Sequence, residues 1–341
     1  MKVLILGGTG LISTGITRLL LERGVEVTHY NRGRRSEEFA GRVTAVTGDR
    51  YDHASFERLM EGLPRFDCVI DMIGYAPEDV RSLLRAFRGK TGHLIFCSTV
   101  DVYARPASSY PVREGEAFRP TSWDYAQNKA ECERILWAWY EREGCPFTVI
   151  RPVHTYGEQG AVLCTFGGST YHLDRLMKGK TIIVHGDGSS LWSAVHRDDA
   201  AVPFANAVCN PVAFGKSYHL PGDECVTWNQ YHQRVAEGIG APPPTFAHIP
   251  TDLLSALDRR AYVTEINFSY NNCLDPLAAK TDLGFRYRTT LAEGARAIYQ
   301  WHLAHGTVEN SDEVPQDDRI LAAWARLTER MKVELSGGQG M

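Results

Sequence analysis

The stretch that decides the fold is Val3-Leu4-Ile5-Leu6-Gly7-Gly8-Thr9-Gly10-Leu11-Ile12-Ser13, near the start of a 341-residue chain. The apolar run predicts a buried strand, the glycines predict a tight turn, and the residues after Gly10 predict the start of a helix. At such a turn, backbone N–H groups and the helix dipole can hold a pyrophosphate. We therefore expect Gly7, Gly10, Leu11 and Ile12 to contact a dinucleotide. Ser13 stands where a third glycine is usual, which is a mild departure.

The alternation of apolar runs and amphipathic segments continues through the first half of the chain. Strands are predicted at residues 3–6, 25–30, 43–47, 68–73, 93–97 and 147–150. Helices are predicted from residue 11 to about residue 24, and at residues 54–61, 77–87 and 125–143. This order indicates an α/β fold, a doubly wound parallel sheet of the Rossmann type.

After Arg151 the alternation gives way to segments rich in Gly, Pro, His and aromatic residues. We predict a Rossmann domain over residues 1–152, completed by a strand and a helix within about residues 181–208. A smaller C-terminal α/β lobe that binds the substrate is predicted from residues 153–180 and 209–335. Residues 336–341, after a last helix near 319–333, are expected to be a flexible tail.

Composition narrows the classes of function. The chain is 43% hydrophobic and 23% charged, with a net charge of -4, so its charge balance favours neither nucleic acid nor an anionic membrane as a partner. The eight cysteines are dispersed, and the histidines show no metal-binding spacing. No apolar stretch approaches the roughly 20 residues that cross a bilayer, and the first residues lack the pattern of a secretory signal. We expect a cytoplasmic protein without a metal.

The end of the second predicted strand bears on the choice of dinucleotide. A site specific for NAD usually carries an acid there for the ribose 2′-hydroxyl, whereas this chain has Asn31-Arg32-Gly33-Arg34-Arg35. Arg32 therefore favours NADP, with Asn31 beside it, unless these arginines form an ordinary surface turn. In Gly48-Asp49-Arg50-Tyr51-Asp52, after the third strand, Asp49 is expected either to accept a hydrogen bond from the adenine amino group or to cap a helix. Arg50 is expected in the same site.

Tyr125 and Lys129 are four residues apart on a predicted helix, which puts both side chains on one face. An ammonium near a phenol lowers the phenol's pKa, so Tyr125 can exchange a proton with a hydroxyl while a hydride moves to or from nicotinamide. Lys129 can also hold the nicotinamide ribose. Thr99 lies where the fifth strand ends, at the sheet edge where open α/β folds bind ligands, and it can steady the reacting oxygen.

These motifs, taken together, resemble the extended short-chain dehydrogenase/reductase family, in particular its nucleotide-sugar epimerases and dehydratases. The match comprises the glycine turn, the strand end from Ser98 to Tyr103, the Tyr125/Lys129 pair, Arg151-Pro152 with Tyr156-Gly157, and later segments to about residue 300. The resemblance implies a catalytic triad of Thr99, Tyr125 and Lys129. It implies that a hydroxyl is oxidised transiently to a ketone and that the hydride then returns, and it suggests a homodimer built on two helices.

Further positions are compared with this family. Asp101 lies where dehydratases carry a carboxylate that takes the proton next to the ketone, although Val100 replaces the second acid. His154 stands where many epimerases have Asn, and is either an acid or base with a near-neutral pKa or an ordinary hydrogen-bonded histidine. Cys164 is either a proton donor or a packed thiol.

The segment that usually holds the substrate diphosphate departs from the family pattern. Leu191 replaces the usual arginine, which leaves Arg197 among the less certain phosphate ligands or favours a substrate with fewer phosphates. Trp192 is either a residue that stacks on a base or a core residue.

Three functions remain after these comparisons. The first is an epimerase or dehydratase acting on a nucleotide-linked sugar or nucleoside with NAD or NADP. The second is an NADPH-dependent ketone reductase, favoured by Arg32 and by the missing diphosphate anchor. The third is an RNA-binding protein without redox activity, because chloroplast stem-loop-binding proteins are similar around the Asn31-Arg32-Gly33 turn and the Gly48-Asp49-Arg50 segment.

Overall fold

The computed structural model describes residues 1–34 and 38–336 of the chain. Its strands are β1 (Lys2–Leu6), β2 (Glu26–Asn31), β3 (Thr44–Thr47), β4 (Cys68–Asp71), β5 (Leu94–Cys97), β6 (Phe147–Pro152), β7 (His154–Tyr156), β8 (Val162–Cys164), β9 (Gly167–Ser169), β10 (Ile182–His185), β11 (Leu191–His196), β12 (Lys216–Leu220), β13 (Cys225–Thr227) and β14 (Phe246–Ile249).

Its α-helices are α1 (Leu11–Glu22), α2 (His53–Glu61), α3 (Pro77–Phe87), α4 (Asp124–Glu143), α5 (Tyr171–Met177), α6 (Arg197–Ala207), α7 (Trp228–Ile239), α8 (Thr251–Leu257), α9 (Leu277–Leu283), α10 (Leu291–Ala304) and α11 (Gln316–Ser336). None of the helices in the described ranges is long and apolar enough to cross a membrane.

A parallel sheet of seven strands, in the order β12-β6-β5-β4-β1-β2-β3, forms the centre of the first compact unit. Side chains of β1 alternate between its two faces: Val3 and Ile5 pack in one apolar cluster, and Leu4 and Leu6 pack in the other. Because both faces are covered, residues 3–6 of this strand are all apolar, as buried parallel strands usually are. The predicted α/β Rossmann fold is confirmed.

The helix boundaries follow local signals. Pro77 occupies the first turn of α3, where its missing N–H costs no hydrogen bond. The Asp79 carboxylate accepts the backbone N–H groups of Tyr75 and Ala76, each at 2.9 Å, which closes this helix start. α4 ends at Glu143 and is capped by Gly144, whose φ of 65° lies in the left-handed region that glycine adopts without strain.

The chain divides into two compact units whose limits differ from the predicted domains. The first contains Met1–Gly157, Ser193–Cys225 and Asn271–Thr290, and the second contains Glu158–Trp192, Val226–Tyr270 and the described residues from Leu291 onward. β12 therefore belongs to the Rossmann sheet, because it pairs with β6 from Lys216 to Leu220. The predicted strand near residue 181 is β10, which pairs with β14 in the second unit. Of the predicted tail, Ser336 ends α11, and residues 337–341 lie outside the described residues.

The second unit has its own core. Trp192, Trp228 and Phe268 pack with ring centroids about 5 Å apart. A separate apolar cluster joins Ile183 of β10 and Ile249 of β14 to Ile320 of α11.

Candidate active site

The glycine turn follows β1 and leads into α1 on the first unit. Gly7 has a φ of +86°, and a Cβ added there would lie 2.5 Å from the Ile73 side chain, so glycine is required at this position. Gly10 is the N-cap of α1 and directly precedes Leu11 and Ile12, the first residues of that helix. A cleft of about 300 Å³ opens over this turn. Its backbone N–H groups and the helix start suit the pyrophosphate of a dinucleotide.

The far side of this cleft is basic. Asn31, Arg32 and Arg34 all line it, and the Thr9 hydroxyl donates to the Asn31 side chain at 3.4 Å. Arg35 lies outside the described residues. Arginine side chains in such a lining suit the binding of a phosphate group.

Asp49 and Arg50 line the same cleft but differ in burial. The Asp49 carboxylate accepts the Tyr51 N–H at 3.0 Å, while Asp52 caps α2 by accepting the Ser55 N–H. The alternative that Asp49 caps the helix is therefore wrong, because the cap is three residues farther along.

Arg50 is only 2% exposed. Its guanidinium lies 4.0 Å from the centre of the Phe56 ring and 3.8 Å from the Asp71 carboxylate, and it donates to the carbonyl of Asp79. The buried Arg50–Asp71 pair thus supports the cleft from beneath.

Thr99, Asp101 and Tyr125 meet where β5 ends. The Thr99 hydroxyl donates to the Asp101 carboxylate at 3.0 Å and accepts the Asp101 backbone N–H at 3.2 Å. Tyr125 lies at the start of α4, where its phenol is close enough to Thr99 and Asp101 for both to act on it. Burial raises the pKa of Tyr125 above its ordinary value, the Asp101 carboxylate raises it further, and the Thr99 hydroxyl opposes both.

Lys129 is 1% exposed and sits one helical turn beyond Tyr125. Its ammonium donates to the carbonyls of Gly74 and Cys97, both at 2.7 Å, and lies 4.9 Å from the centre of the Tyr75 ring. The expected lowering of the phenol's pKa by Lys129 is therefore not what this structure shows, since two backbone carbonyls hold the ammonium and Thr99 is the group that lowers the pKa of Tyr125.

Two residues missed by the sequence analysis position Asp101. The Arg105 guanidinium contacts the Asp101 carboxylate at 3.4 Å and donates to the Asn272 side chain at 3.1 Å, and its side chain is 1% exposed. Asn272 is 167 residues from Arg105 along the chain, so no local pattern could reveal this pair.

His154 lies on β7, opposite Ala194 of β11. Its Nε2 is buried and has no hydrogen-bond partner among the described residues. Burial lowers the pKa of His154 to about 4, so the ring is neutral near pH 7, which differs from the expected near-neutral pKa. A neutral imidazole can still orient a substrate hydroxyl.

The other predicted substrate contacts differ in their surroundings. Cys164, on β8 of the second unit, is buried, and burial raises the pKa of its thiol to about 11. Trp192 is 3% exposed within the aromatic core described above. Both environments are those of packed core residues. Arg197, at the start of α6, lies beside Gly157, where an added Cβ would lie 2.7 Å from the Arg197 Cδ.

A family model described as the NAD dependent epimerase/dehydratase family matches residues 3–219. This chain belongs to that family. Its members are NAD(P)-dependent enzymes of the extended short-chain dehydrogenase/reductase type, as the motifs predicted. In the described part of the chain, no group of three or more His, Cys, Asp or Glu side chains is placed to hold a metal ion.

Relatives within and around this family have different activities. The chain is 27% identical to a chloroplast stem-loop binding protein of 41 kDa from Arabidopsis thaliana, over 94% of this chain and 84% of that protein. It is 26% identical to a 2′-dehydrokanamycin reductase from Streptomyces kanamyceticus, over 71% of this chain and 68% of the reductase.

Solved structures show the same fold. The UDP-glucose 4-epimerase of Thermotoga maritima superposes with a TM-score of 0.71 at 20% identity, covering 89% of this chain and 99% of the epimerase.

Proposed function

We propose that this chain transiently oxidises a hydroxyl of a nucleotide-linked sugar or nucleoside to a ketone, and that the hydride returns to the intermediate within the same catalytic cycle. The observation that carries this proposal is the placement of Thr99, which follows β5, next to Tyr125 at the start of α4, with Lys129 one helical turn farther along that helix. The names of the relatives support a sugar or sugar-like substrate.

The chain's own residues have distinct roles in this proposal. When bound, the nicotinamide accepts and returns the hydride. Tyr125 takes the proton of the substrate hydroxyl as the hydride leaves, and Thr99 orients the same oxygen. The Lys129 ammonium donates to the Gly74 and Cys97 carbonyls, which fixes it one helical turn beyond Tyr125, where it would hold the nicotinamide ribose.

The basic end of the cleft favours NADP over NAD. We expect Arg32→Ala to raise the Kd for NADPH about tenfold or more, because a charge-assisted hydrogen bond to a phosphate contributes about 1.5–3 kcal/mol. The Kd for NADH should change less than about threefold, since NADH lacks the ribose phosphate. Fluorescence titration with both dinucleotides measures this, with the exposed Arg65→Ala as the control. Equal weakening of both would contradict a phosphate-binding role.

Asp101 is the proposed base for the proton next to the ketone. We expect Asp101→Asn to slow the incorporation of solvent deuterium into product by about 10² or more, the usual scale for losing a catalytic base. Mass spectrometry of the product measures it, and Asp124→Asn, an exposed residue at the start of α4, is the control. Unchanged deuterium incorporation would contradict the role of Asp101 as the base. Asp101 would then only position Thr99 and Arg105, which it contacts.

A second candidate function is an NADPH-dependent ketone reductase. Arg32 and Arg34 in the cleft favour it, as does the likeness to a 2′-dehydrokanamycin reductase. The two candidates differ in cofactor turnover, because a reductase consumes one NADPH for each product.

The likeness to a stem-loop binding protein favours a third candidate, RNA binding. An electrophoretic mobility shift with stem-loop RNA at several salt concentrations tests it, because binding driven by phosphates weakens steeply as salt rises. The retained Thr99, Tyr125 and Lys129 support the redox candidates instead.

We further propose a cytoplasmic homodimer that forms through α3 and α4. The outer groove of these helices combines Ile135, Trp139 and Leu84 with several arginines. Much of the apolar surface of α4 faces the sheet, so this groove is more basic than the sequence alone indicated.

A further inference from the structure

The ring of Tyr75 lies between the dinucleotide cleft and two catalytic residues of the first unit. Tyr75 belongs to the loop between β4 and α3, lines the cleft over the glycine turn, and is 42% exposed. The Lys129 ammonium lies over this ring, 4.9 Å from its centre, and the centre of the Tyr125 ring is 6.4 Å away. Among the described residues, the lining of the cleft includes Tyr75 but neither Lys129 nor Tyr125. The cleft therefore ends at Tyr75.

Four groups surround the Lys129 ammonium. An ammonium has three N–H groups, and this one donates to the carbonyls of Gly74 and Cys97, both at 2.7 Å. The ring centres of Tyr75 and Phe96 lie 4.9 Å and 4.7 Å from the same nitrogen. Because Lys129 is only 1% exposed, a ribose hydroxyl can reach its remaining N–H only if one of these four groups moves.

Of these four groups, the side chain of Tyr75 is the one that can move. The two carbonyls belong to the backbone, and Phe96 is 1% exposed within the apolar cluster on one face of the sheet. The backbone of Tyr75 is held, because its N–H donates to the Asp79 carboxylate at 2.9 Å. Its half-exposed side chain can still turn to another rotamer, since exposed side chains change rotamer rapidly.

We propose that Tyr75 is a gating residue of the dinucleotide site, whose ring covers Lys129 until the nicotinamide ribose takes its place. The proposal rests on the proposed function, because it takes Lys129 as the residue that holds this ribose. The ring and the ribose then compete for one position beside the ammonium. A cation–π contact to a buried ammonium favours the covered state by about 5- to 30-fold, and the apparent affinity for the dinucleotide is reduced by the same factor.

Stopped-flow fluorescence of NADPH binding to the full chain tests this gate. We expect Tyr75→Ala to bind NADPH about 5- to 30-fold faster, with an apparent Kd lower by a similar factor, because no ring competes with the ribose. Tyr75→Phe keeps the ring and should stay within about twofold of wild type. Tyr262→Ala, at a tyrosine of the second unit that is 43% exposed, is the control and should match wild type.

Acetylation with acetic anhydride tests the cover over Lys129 without any nucleotide. Mass spectrometry of the peptides that contain Lys129 should show slow acetylation in wild type and in Tyr75→Phe, and clearly faster acetylation in Tyr75→Ala. Lys332, whose side chain is 74% exposed, should react at the same rate in all three proteins and serves as the internal reference.

The results that would overturn the proposal separate it from the proposed function. If wild type binds NADPH but Tyr75→Ala binds it no faster than Tyr75→Phe does, the ring is not a gate, although the dinucleotide site stands. Equal acetylation of Lys129 in these two variants would have the same meaning. If wild type and both variants bind neither NADPH nor NADH, the dinucleotide site itself is wrong, and the gate with it.

Discussion

Tyr125→Phe is expected to lower kcat by about 10²–10⁴, the usual contribution of a positioned acid or base. The substitution removes the phenol hydroxyl beside Thr99 and leaves the ring in place. The Kd for NAD(P)H should change less than about threefold, because the glycine turn and Lys129 are unaltered. Steady-state kinetics with the substrate that the wild-type chain turns over, and titration of the cofactor, measure the two effects.

Tyr140→Phe is the matched control for this variant. Tyr140 lies in the last turns of α4, and its ring packs 5.2 Å from that of Phe147, at the start of β6 and so at the opposite edge of the sheet from the site. The kcat of the Tyr140→Phe variant should remain within about twofold of wild type, because this substitution lies away from the active site. If Tyr125→Phe also kept nearly full activity, Tyr125 would not be the acid or base.

Arg151→Met is expected to lower the free energy of unfolding by about 3–5 kcal/mol, because it leaves a buried carboxylate unpaired. Arg151 and Glu133 are almost fully buried, with two hydrogen bonds between them at 2.9 Å and 2.6 Å. Arg151 also donates to the hydroxyl of Tyr103, and Ser98 donates to Glu133. Urea denaturation followed by circular dichroism measures the loss.

Two controls accompany this stability prediction. Arg88→Met breaks the exposed pair between Arg88 and Glu143 at 2.9 Å, and should cost less than about 1 kcal/mol. The double variant Arg151→Met/Glu133→Leu should recover much of the loss, since no buried charge is left alone. A loss below about 1 kcal/mol in the single variant would contradict the role given to this pair.

Local signals in the sequence were sufficient for much of the fold. The helix predicted at residues 77–87 matches α3 at both ends, because Pro77 and the carboxylate of Asp79 mark its start. The glycine turn, with its strand and its helix, was also found where predicted. The spacing of Tyr125 and Lys129 correctly placed both side chains on α4.

Long-range pairing could not be read in the same way. The short strand β12 pairs with β6, and the paired residues Lys216 and Thr148 are 68 positions apart in the sequence. The residues of one strand do not indicate which other strand it pairs with. Arg105 holds Asp101 and Asn272 only because the fold brings distant segments together. Likewise, the burial that lowers the pKa of His154 and raises that of Tyr125 depends on packing, which composition and spacing do not report.

Dependence on a nicotinamide dinucleotide is the central claim of this account. The most direct measurement is mass spectrometry of nucleotides released when the chain, purified without added cofactor, is denatured, together with titration of any empty protein with NADH and NADPH. We predict either a retained dinucleotide or tight binding of one, with retained NAD(P)+ favouring hydride return and reversibly bound NADPH favouring the reductase. No released dinucleotide, combined with no binding of NADH or NADPH at millimolar concentration, would contradict the account.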